Sequence, residues 1–91
     1  MNKKRDRLEV IRDILHTINE KNNRIKPTHI LYKSNLSHQM MEEYLNELIE
    51  KGFVVVHKEE KGRTYSITKK GLNYLKEYQL IIKFTESFGL G

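Results

Sequence analysis

The chain has 91 residues, a formal net charge of +5 and no cysteine. This length allows one domain with a single hydrophobic core, and the lack of cysteine excludes disulfides, thiolate metal sites and a cysteine nucleophile. The longest apolar run, Phe53 to Val56, has four residues, whereas a membrane-spanning helix needs roughly 20, so we expect a cytoplasmic protein that does not enter a membrane.

The first predicted helix follows a basic segment at the start of the chain. Leu8, Ile11, Leu15 and Ile18 recur at spacings of three and four residues, with charged residues between them. This periodicity predicts an amphipathic helix of about 16 residues. We expect it to end near residues 21–23.

A short second helix is predicted to begin at Pro27, because the missing N–H of proline costs nothing in a first turn. Ile30, Leu31 and Leu36 supply its apolar side, and Ser34-Asn35 is the expected turn.

The third helix has clear signals at both ends. Ser37 is a favourable N-cap, and the helix is predicted to run to Lys51 and stop at Gly52, which adopts a left-handed conformation without steric cost. A helical wheel places one apolar side toward the core. The outward stripe then consists of Gln39, Glu43, Asn46 and Glu50, flanked by His38, Glu42 and Ile49.

The last third of the chain predicts a hairpin and a helix. Residues 53–58 and 64–68 are rich in β-branched and aromatic residues, and the segment Glu60-Lys61-Gly62-Arg63 between them has the composition of a turn. Thr68 is expected to cap a final helix. Gly71 near the start of that helix is expected to weaken it slightly.

Two helices across a tight turn, a hairpin and a further helix are the order of elements in a winged helix-turn-helix, an α+β fold that is mostly α-helical. We expect residues 1–68 to form a winged-helix DNA-binding domain, with residues 69–91 as a C-terminal helix packed on the same domain.

The end of the chain carries apolar residues in several directions around the predicted helix, which is typical of a partner surface. We therefore predict a homodimer formed by the C-terminal helices. The predicted dimer contacts are Leu75, Tyr78, Ile81, Ile82, Phe84 and Phe88. The alternative is that the tail folds back over the first helix and covers the core of its own chain.

Basic residues concentrate where a winged helix would meet DNA. Residues 1–30 carry a formal charge of +4, residues 31–60 carry −3 and residues 61–91 carry +4. A basic surface favours nucleic acid through phosphate contacts that do not depend on sequence.

The predicted recognition helix, residues 37–51, would lie in the major groove, and the wing, residues 58–63, would lie on the backbone. The predicted DNA contacts are Lys33, Ser37, His38, Gln39 and Asn46 in the helix-turn-helix, Lys58, Lys61 and Arg63 in the wing, and Lys3, Lys4 and Arg5 in an N-terminal arm. Each group has an alternative interpretation. Gln39 and Asn46 could be merely solvated amides, the basic wing could be an edge that keeps the hairpin soluble, and the N-terminal arm could be a frayed terminus. Tyr32 and Tyr44 are interpreted as core residues rather than phosphate contacts.

Three motifs resemble the archaeal winged-helix family typified by the small 10a DNA-binding proteins. They are residues 28–45 (THILYKSNLSHQMMEEYL), the ITKKG element from Ile67 to Leu75, and the LEVI helix start from Leu8 to Leu15. In register, they cover nearly the whole chain. The resemblance implies a winged helix with a C-terminal helix that pairs with its twin, and a role in chromatin or transcription. The chain departs from the family pattern at His29, at Glu42 and Glu43, and in its shorter last helix.

Four glutamates in the recognition helix, Glu42, Glu43, Glu47 and Glu50, would repel phosphates. They could lie beyond the contact zone, penalise incorrect sites, or dock a basic protein surface. The leading hypothesis is a dimeric, nucleoid-associated transcription regulator that binds double-stranded DNA. The alternatives are a protein-interaction module with little DNA affinity and a chromatin-coating protein without sequence preference.

No pattern in the chain indicates catalysis. The four histidines are scattered, without HExxH spacing or a third metal ligand beside His38 and Glu42. Phosphate-binding, dinucleotide-binding and nucleophile-elbow glycine motifs are also lacking. We expect no enzyme activity, no metal, no cofactor and no small-molecule substrate.

Overall fold

The computed structural model describes residues 5–20 and 24–90. In chain order its elements are α1 (Arg7–Glu20), α2 (Pro27–Ser34), α3 (His38–Glu50), β1 (Val54–Glu59), β2 (Gly62–Ile67) and α4 (Lys69–Ser87). This confirms the predicted order of elements, and the described part of the chain is mostly helical with one two-stranded antiparallel sheet.

The helix-turn-helix is fixed by local hydrogen bonds at its helix ends. Asn35 takes the left-handed conformation after α2, and the Ser37 hydroxyl then caps α3 by accepting from the Met40 N–H at 3.2 Å. At the far end, Gly52 has a φ of +84°, and the Phe53 N–H donates to the Leu48 carbonyl at 2.8 Å. These bonds form a Schellman termination, as the glycine predicted.

The hydrophobic core lies under α1, which supplies the side chains that are buried most completely. Ile14, Leu15 and Ile18 have no exposed surface, and they pack with residues from α2, α3 and the sheet. The opposite side of α1 keeps its charged residues at the surface. The periodicity in the sequence therefore located the central helix of the core, although Leu8, the first residue of the predicted apolar stripe, is 56% exposed.

The wing differs from its prediction in the length of its turn. The two strands pair from Val54 with Ile67 to Glu59 with Gly62, so that the turn contains only Glu60 and Lys61. Gly62 and Arg63, predicted in the turn, belong to β2. Gly62 has a φ of +127°, which provides the backbone freedom needed for so tight a reversal.

One residue outside the two strands, Ile25, also pairs with the sheet, and this pairing was not predicted. Ile25 forms an isolated antiparallel bridge with Tyr65, with N–H to carbonyl distances of 3.0 Å and 2.8 Å. The bridge attaches the segment before α2 to the wing. A single bridged residue has no periodicity, so the sequence offered no signal for it.

Helix α4 packs against the domain through its first half only. The Tyr74 hydroxyl donates to the Leu8 carbonyl at 2.9 Å, and Leu75 packs against the core. Large apolar side chains from residue 80 onward are exposed. The radius of gyration, 13.9 Å, exceeds the value of about 12 Å expected for a compact chain of this length. The alternative in which the tail covers its own core is therefore wrong.

Among the described helices, none combines enough length and apolar character to cross a membrane.

Candidate nucleic-acid interface

The outward face of α3 presents polar side chains to solvent. His38, Gln39 and Asn46 are all exposed, and the Gln39 amide donates to the Glu43 carboxylate at 3.1 Å. Lys33 is exposed in the last turn of α2. The exposure of His38, Gln39 and Asn46 agrees with the helical wheel of the third helix. The Ser37 hydroxyl oxygen accepts the helix-cap hydrogen bond, and a serine hydroxyl can still donate its own proton.

Tyrosines on α2 and α3 occupy different environments. Tyr32 is 86% exposed, so its interpretation as a core residue is wrong. Tyr44 packs against the core, and the Arg7 guanidinium lies 5.7 Å from the centre of its ring, which is within cation–π range. The sequence could not separate the two residues, because both lie on short amphipathic helices whose rotation is set by packing.

One glutamate of α3 is paired with α1. Glu47 accepts hydrogen bonds from Arg7, and from Lys51 at 2.9 Å. The Arg7 hydrogen bond, followed by that of Lys51, lowers the pKa of Glu47 to about 2, and the same contact raises the pKa of Arg7. Because this carboxyl pKa is depressed on folding, the pair stabilises the fold above the usual carboxyl pKa of 4.5, and this contribution is lost as the pH falls toward 2.

A second glutamate of α3 is paired with the wing. The Arg63 guanidinium lies 3.3 Å from the Glu42 carboxylate. Among the residues that the structure describes, Glu50 has no ion pair, and it lies at the end of α3 farthest from His38. Glu43 likewise has no ion pair among these residues and accepts from the Gln39 amide, so that Arg7, Lys51 and Arg63 offset two of the four glutamates of the recognition helix.

The basic residues predicted to bind DNA fall into three groups. Lys58 and Lys61 are exposed on the wing, and Arg63 is held by Glu42. Arg5 does not form a free arm, because its guanidinium donates to Asp13 at 2.6 Å and to the Ser34 carbonyl at 2.8 Å. Lys3 and Lys4 lie outside the described residues.

Sequence reasoning missed a cavity between the start of α2 and the wing. We call it the α2–wing pocket. It has a volume of about 190 Å³ and is lined by residues 26–28, by Glu59 and by residues 61–64. Pro27 had marked the start of a helix, but only the folded hairpin brings Lys61 opposite Lys26.

Within residues 5–20 and 24–90, no three histidine or carboxylate side chains come together in a way that could hold a metal ion.

A sequence model for a family described as winged helix-turn-helix matches residues 4–86. The chain belongs to the winged helix-turn-helix family. Membership of this family, rather than of an enzyme family, agrees with the expectation that the protein is not an enzyme. No curated protein matches the winged-helix chain in sequence.

Solved structures of similar fold include two archaeal winged-helix proteins. Sso10a-2, a DNA-binding protein from Sulfolobus solfataricus, superposes with a TM-score of 0.80 at 24% identity, covering 92% of this winged helix and 85% of that chain. F-93 of SSV1 superposes with a TM-score of 0.68 at 20% identity, covering 97% and 99% respectively. The resemblance to archaeal winged helices is therefore confirmed at the level of fold.

A bacterial protein shares the same architecture. The A103V mutant of MepR from S. aureus superposes with a TM-score of 0.78 at 11% identity. The superposition covers 87% of this chain and 59% of the MepR chain.

Proposed function

We propose that this winged helix-turn-helix protein is a dimeric DNA-binding transcription regulator. Residues 37–51 form the recognition helix in the major groove, and residues 58–63 form the wing on the flanking backbone. The observation that carries the proposal is the polar N-terminal face of α3, where His38 and Gln39 are exposed while Arg63 and Arg7 pair with Glu42 and Glu47.

The comparison with known folds supports DNA as the partner. Sso10a-2 is described as a DNA-binding protein, and a structure from Silicibacter pomeroyi with a TM-score of 0.72 is described as a MarR family transcriptional regulator. Major-groove docking of the second helix is the standard use of a helix-turn-helix. Gln39 and Asn46 are the base-reading candidates, because amides bond adenine through two atoms. Lys33, Lys58 and Lys61 supply phosphate contacts.

The exposed end of α4 supports the proposed dimer. Its exposed apolar side chains, including Phe84 at 64% and Phe88 at 66% exposure, are contiguous, since the two rings lie 5.0 Å apart. Residues 69–91 are thus the proposed dimerisation element and residues 1–68 the DNA-binding part. Leu75 packs against its own core, so the contacts of greatest weight are Ile81, Ile82, Phe84 and Phe88. We place the protein with the nucleoid in the cytoplasm.

The test is a fluorescence-anisotropy titration of a random duplex at two salt concentrations about fourfold apart. DNA binding through phosphates gives a steep fall in affinity with salt. Lys61→Ala should lower affinity for all sequences and reduce the log–log slope by about one, whereas Lys76→Ala, an exposed lysine on α4, should change neither. On a selected site, Gln39→Ala and Asn46→Ala should lose discrimination first.

No binding even at low salt would overturn the proposal. It would favour the protein-interaction alternative, in which the exposed Glu50 and the apolar end of α4 dock another protein. Steep binding without any preferred site in a selection experiment would favour the chromatin-coating alternative.

A further inference from the structure

A hollow lies where the end of α3 meets the first turns of α1 and α4. It has a volume of about 370 Å³, which falls within the range of roughly 300–1,000 Å³ that is usual for small-molecule sites. We call it the α1–α3–α4 pocket. It shares no lining residue with the α2–wing pocket, so the contacts proposed for DNA do not account for it.

The walls of this pocket are apolar and partly aromatic. Ile11 and Leu48, two residues of the hydrophobic core, line it. Phe53 and Tyr74 also line it, and their ring centroids lie 5.9 Å apart in an edge-to-face arrangement. Aromatic rings pack best against other rings in edge-to-face or offset-stacked geometry. Walls of this composition therefore favour a ligand with a flat apolar body.

Cations outnumber carboxylates around the pocket. Arg7, Lys51 and Lys70 line it, together with one carboxylate, Glu47. Arg7 and Lys51 both donate to Glu47, so that a single negative charge is shared between two positive ones. All three cationic residues are exposed, and a ligand in the pocket can therefore reach them. The excess of positive charge favours an anion.

Lys70 is the cation best placed to bind that anion. Its ammonium donates to the Lys51 carbonyl at 2.8 Å and lies 4.6 Å from the centre of the Phe53 ring. Among residues 5–20 and 24–90 it has no carboxylate partner. An ammonium carries three N–H donors, so that these two contacts fix its position and still leave a donor for a ligand. The unpaired charge thus lies directly beside an aromatic wall.

We propose that the α1–α3–α4 pocket binds a small aromatic carboxylate. The apolar body of the ligand packs against Phe53 and Tyr74, and its carboxylate accepts a hydrogen bond from the Lys70 ammonium. Such a ligand contacts α3, the proposed recognition helix, and α4, the proposed dimerisation element, at the same time. The inference goes beyond the proposed function, and it holds whether or not the protein binds DNA.

The first test compares three probes on the unaltered protein by isothermal titration calorimetry. Cinnamate should bind one site per chain with a dissociation constant on the order of 1 mM or lower. Cinnamamide has nearly the same shape but no charge, and it should bind roughly tenfold more weakly, because the charged hydrogen bond to Lys70 is lost. Acetate keeps the charge without the apolar body, and we expect no measurable binding of it.

Two variants change the charge of the pocket in opposite directions. Lys70→Met keeps the apolar stem of the side chain and should weaken cinnamate binding roughly tenfold without changing cinnamamide binding. Glu47→Gln removes the one carboxylate of the lining and should strengthen cinnamate binding by about threefold. Lys69→Met is the matched control for Lys70→Met, because Lys69 is an exposed lysine at the start of α4 that does not line the pocket. It should leave both affinities unchanged.

Amide NMR with cinnamate locates the site. We expect ring-current shifts at Phe53, Lys70 and Tyr74, all of which line the pocket. Shifts confined to the exposed apolar end of α4, at Phe84 and Phe88, would overturn the proposal, because they would mean that cinnamate adheres to that surface instead. Equal binding of cinnamate and cinnamamide would overturn the role of the positive charge. No binding of cinnamate up to about 10 mM, ten times the expected constant, would overturn the site itself.

Discussion

Gly71 occupies a position in α4 where no side chain fits. A Cβ atom at this position would lie 2.6 Å from the Phe53 carbonyl oxygen and 2.6 Å from Cγ1 of Ile67. The Phe53 carbonyl oxygen is a backbone atom, so it cannot move aside by rotation of a side chain. We expect Gly71→Ala to lower the free energy of unfolding by about 1–2 kcal/mol, since the overpacking cost of roughly 1–3 kcal/mol exceeds the helix propensity that alanine adds. Urea unfolding followed by circular dichroism measures the change.

Asn73→Ala is the matched control, because Asn73 is exposed in the same helix and alanine there should be neutral or slightly stabilising. If Gly71→Ala unfolds at the same urea concentration as the wild type, the close approach of α4 to Phe53 is wrong. The sequence supported only the opposite expectation, that this glycine weakens α4, because propensity is local whereas the contact joins residues far apart in the chain. Tyr32 shows the same limit of local sequence patterns, since its exposure depends on how α2 is rotated about its own axis.

The contact between α3 and the wing is the feature at the scale of elements that bears most on DNA binding. Glu42 holds Arg63 at 3.3 Å, and both groups face the side on which DNA is proposed to lie. We expect Glu42→Gln to tighten binding to a random duplex by about two- to fivefold, because one repulsive charge is lost and Arg63 is released. An exposed ion pair contributes only about 0–1 kcal/mol, so the stability of the fold should change little. Anisotropy titrations at one fixed salt concentration measure the effect.

Glu50→Gln removes the same charge from the far end of α3 without freeing an arginine, so its effect should be smaller. In an Arg63→Ala background the gain from Glu42→Gln should shrink, since no arginine remains to be released. A loss of affinity in Glu42→Gln would mean that Glu42 positions Arg63 for DNA rather than restraining it. Helix spacing predicted the outward stripe of α3. The pairing of Glu42 with Arg63 was not predicted, because it requires Arg63 to lie in β2, whereas the sequence analysis placed Arg63 in the turn.

At the scale of the whole molecule, the exposed end of α4 is the surface on which the proposed dimer depends. The exposed apolar side chains from Leu80 to Leu90 form a surface that this chain does not cover, and such surfaces mark partner sites. We expect size-exclusion chromatography with light scattering to give twice the chain mass of 10.9 kDa. Phe84→Glu should give monomers that remain folded, because Phe84 is exposed and makes no contribution to the core of its own chain.

The sequence predicted the exposed apolar side chains from Leu80 onward, because this surface depends only on which residues are apolar. Leu75, also predicted as a dimer contact, packs against its own core, and the dimer contacts themselves stay a prediction. The angle at which two α4 helices would cross in the proposed dimer depends on the geometry of a second chain, so the sequence of one chain does not predict it. If α4 joins two DNA-binding modules, Phe84→Glu should also weaken binding to a duplex long enough for both modules, by roughly a hundredfold, because the second contact is no longer intramolecular. Lys76→Glu introduces a carboxylate before the apolar segment, and it should preserve the dimer. Elution of wild type and Phe84→Glu at the same monomer mass would show that the apolar end of α4 does not form a dimer, and it would direct attention to a different protein partner for this surface.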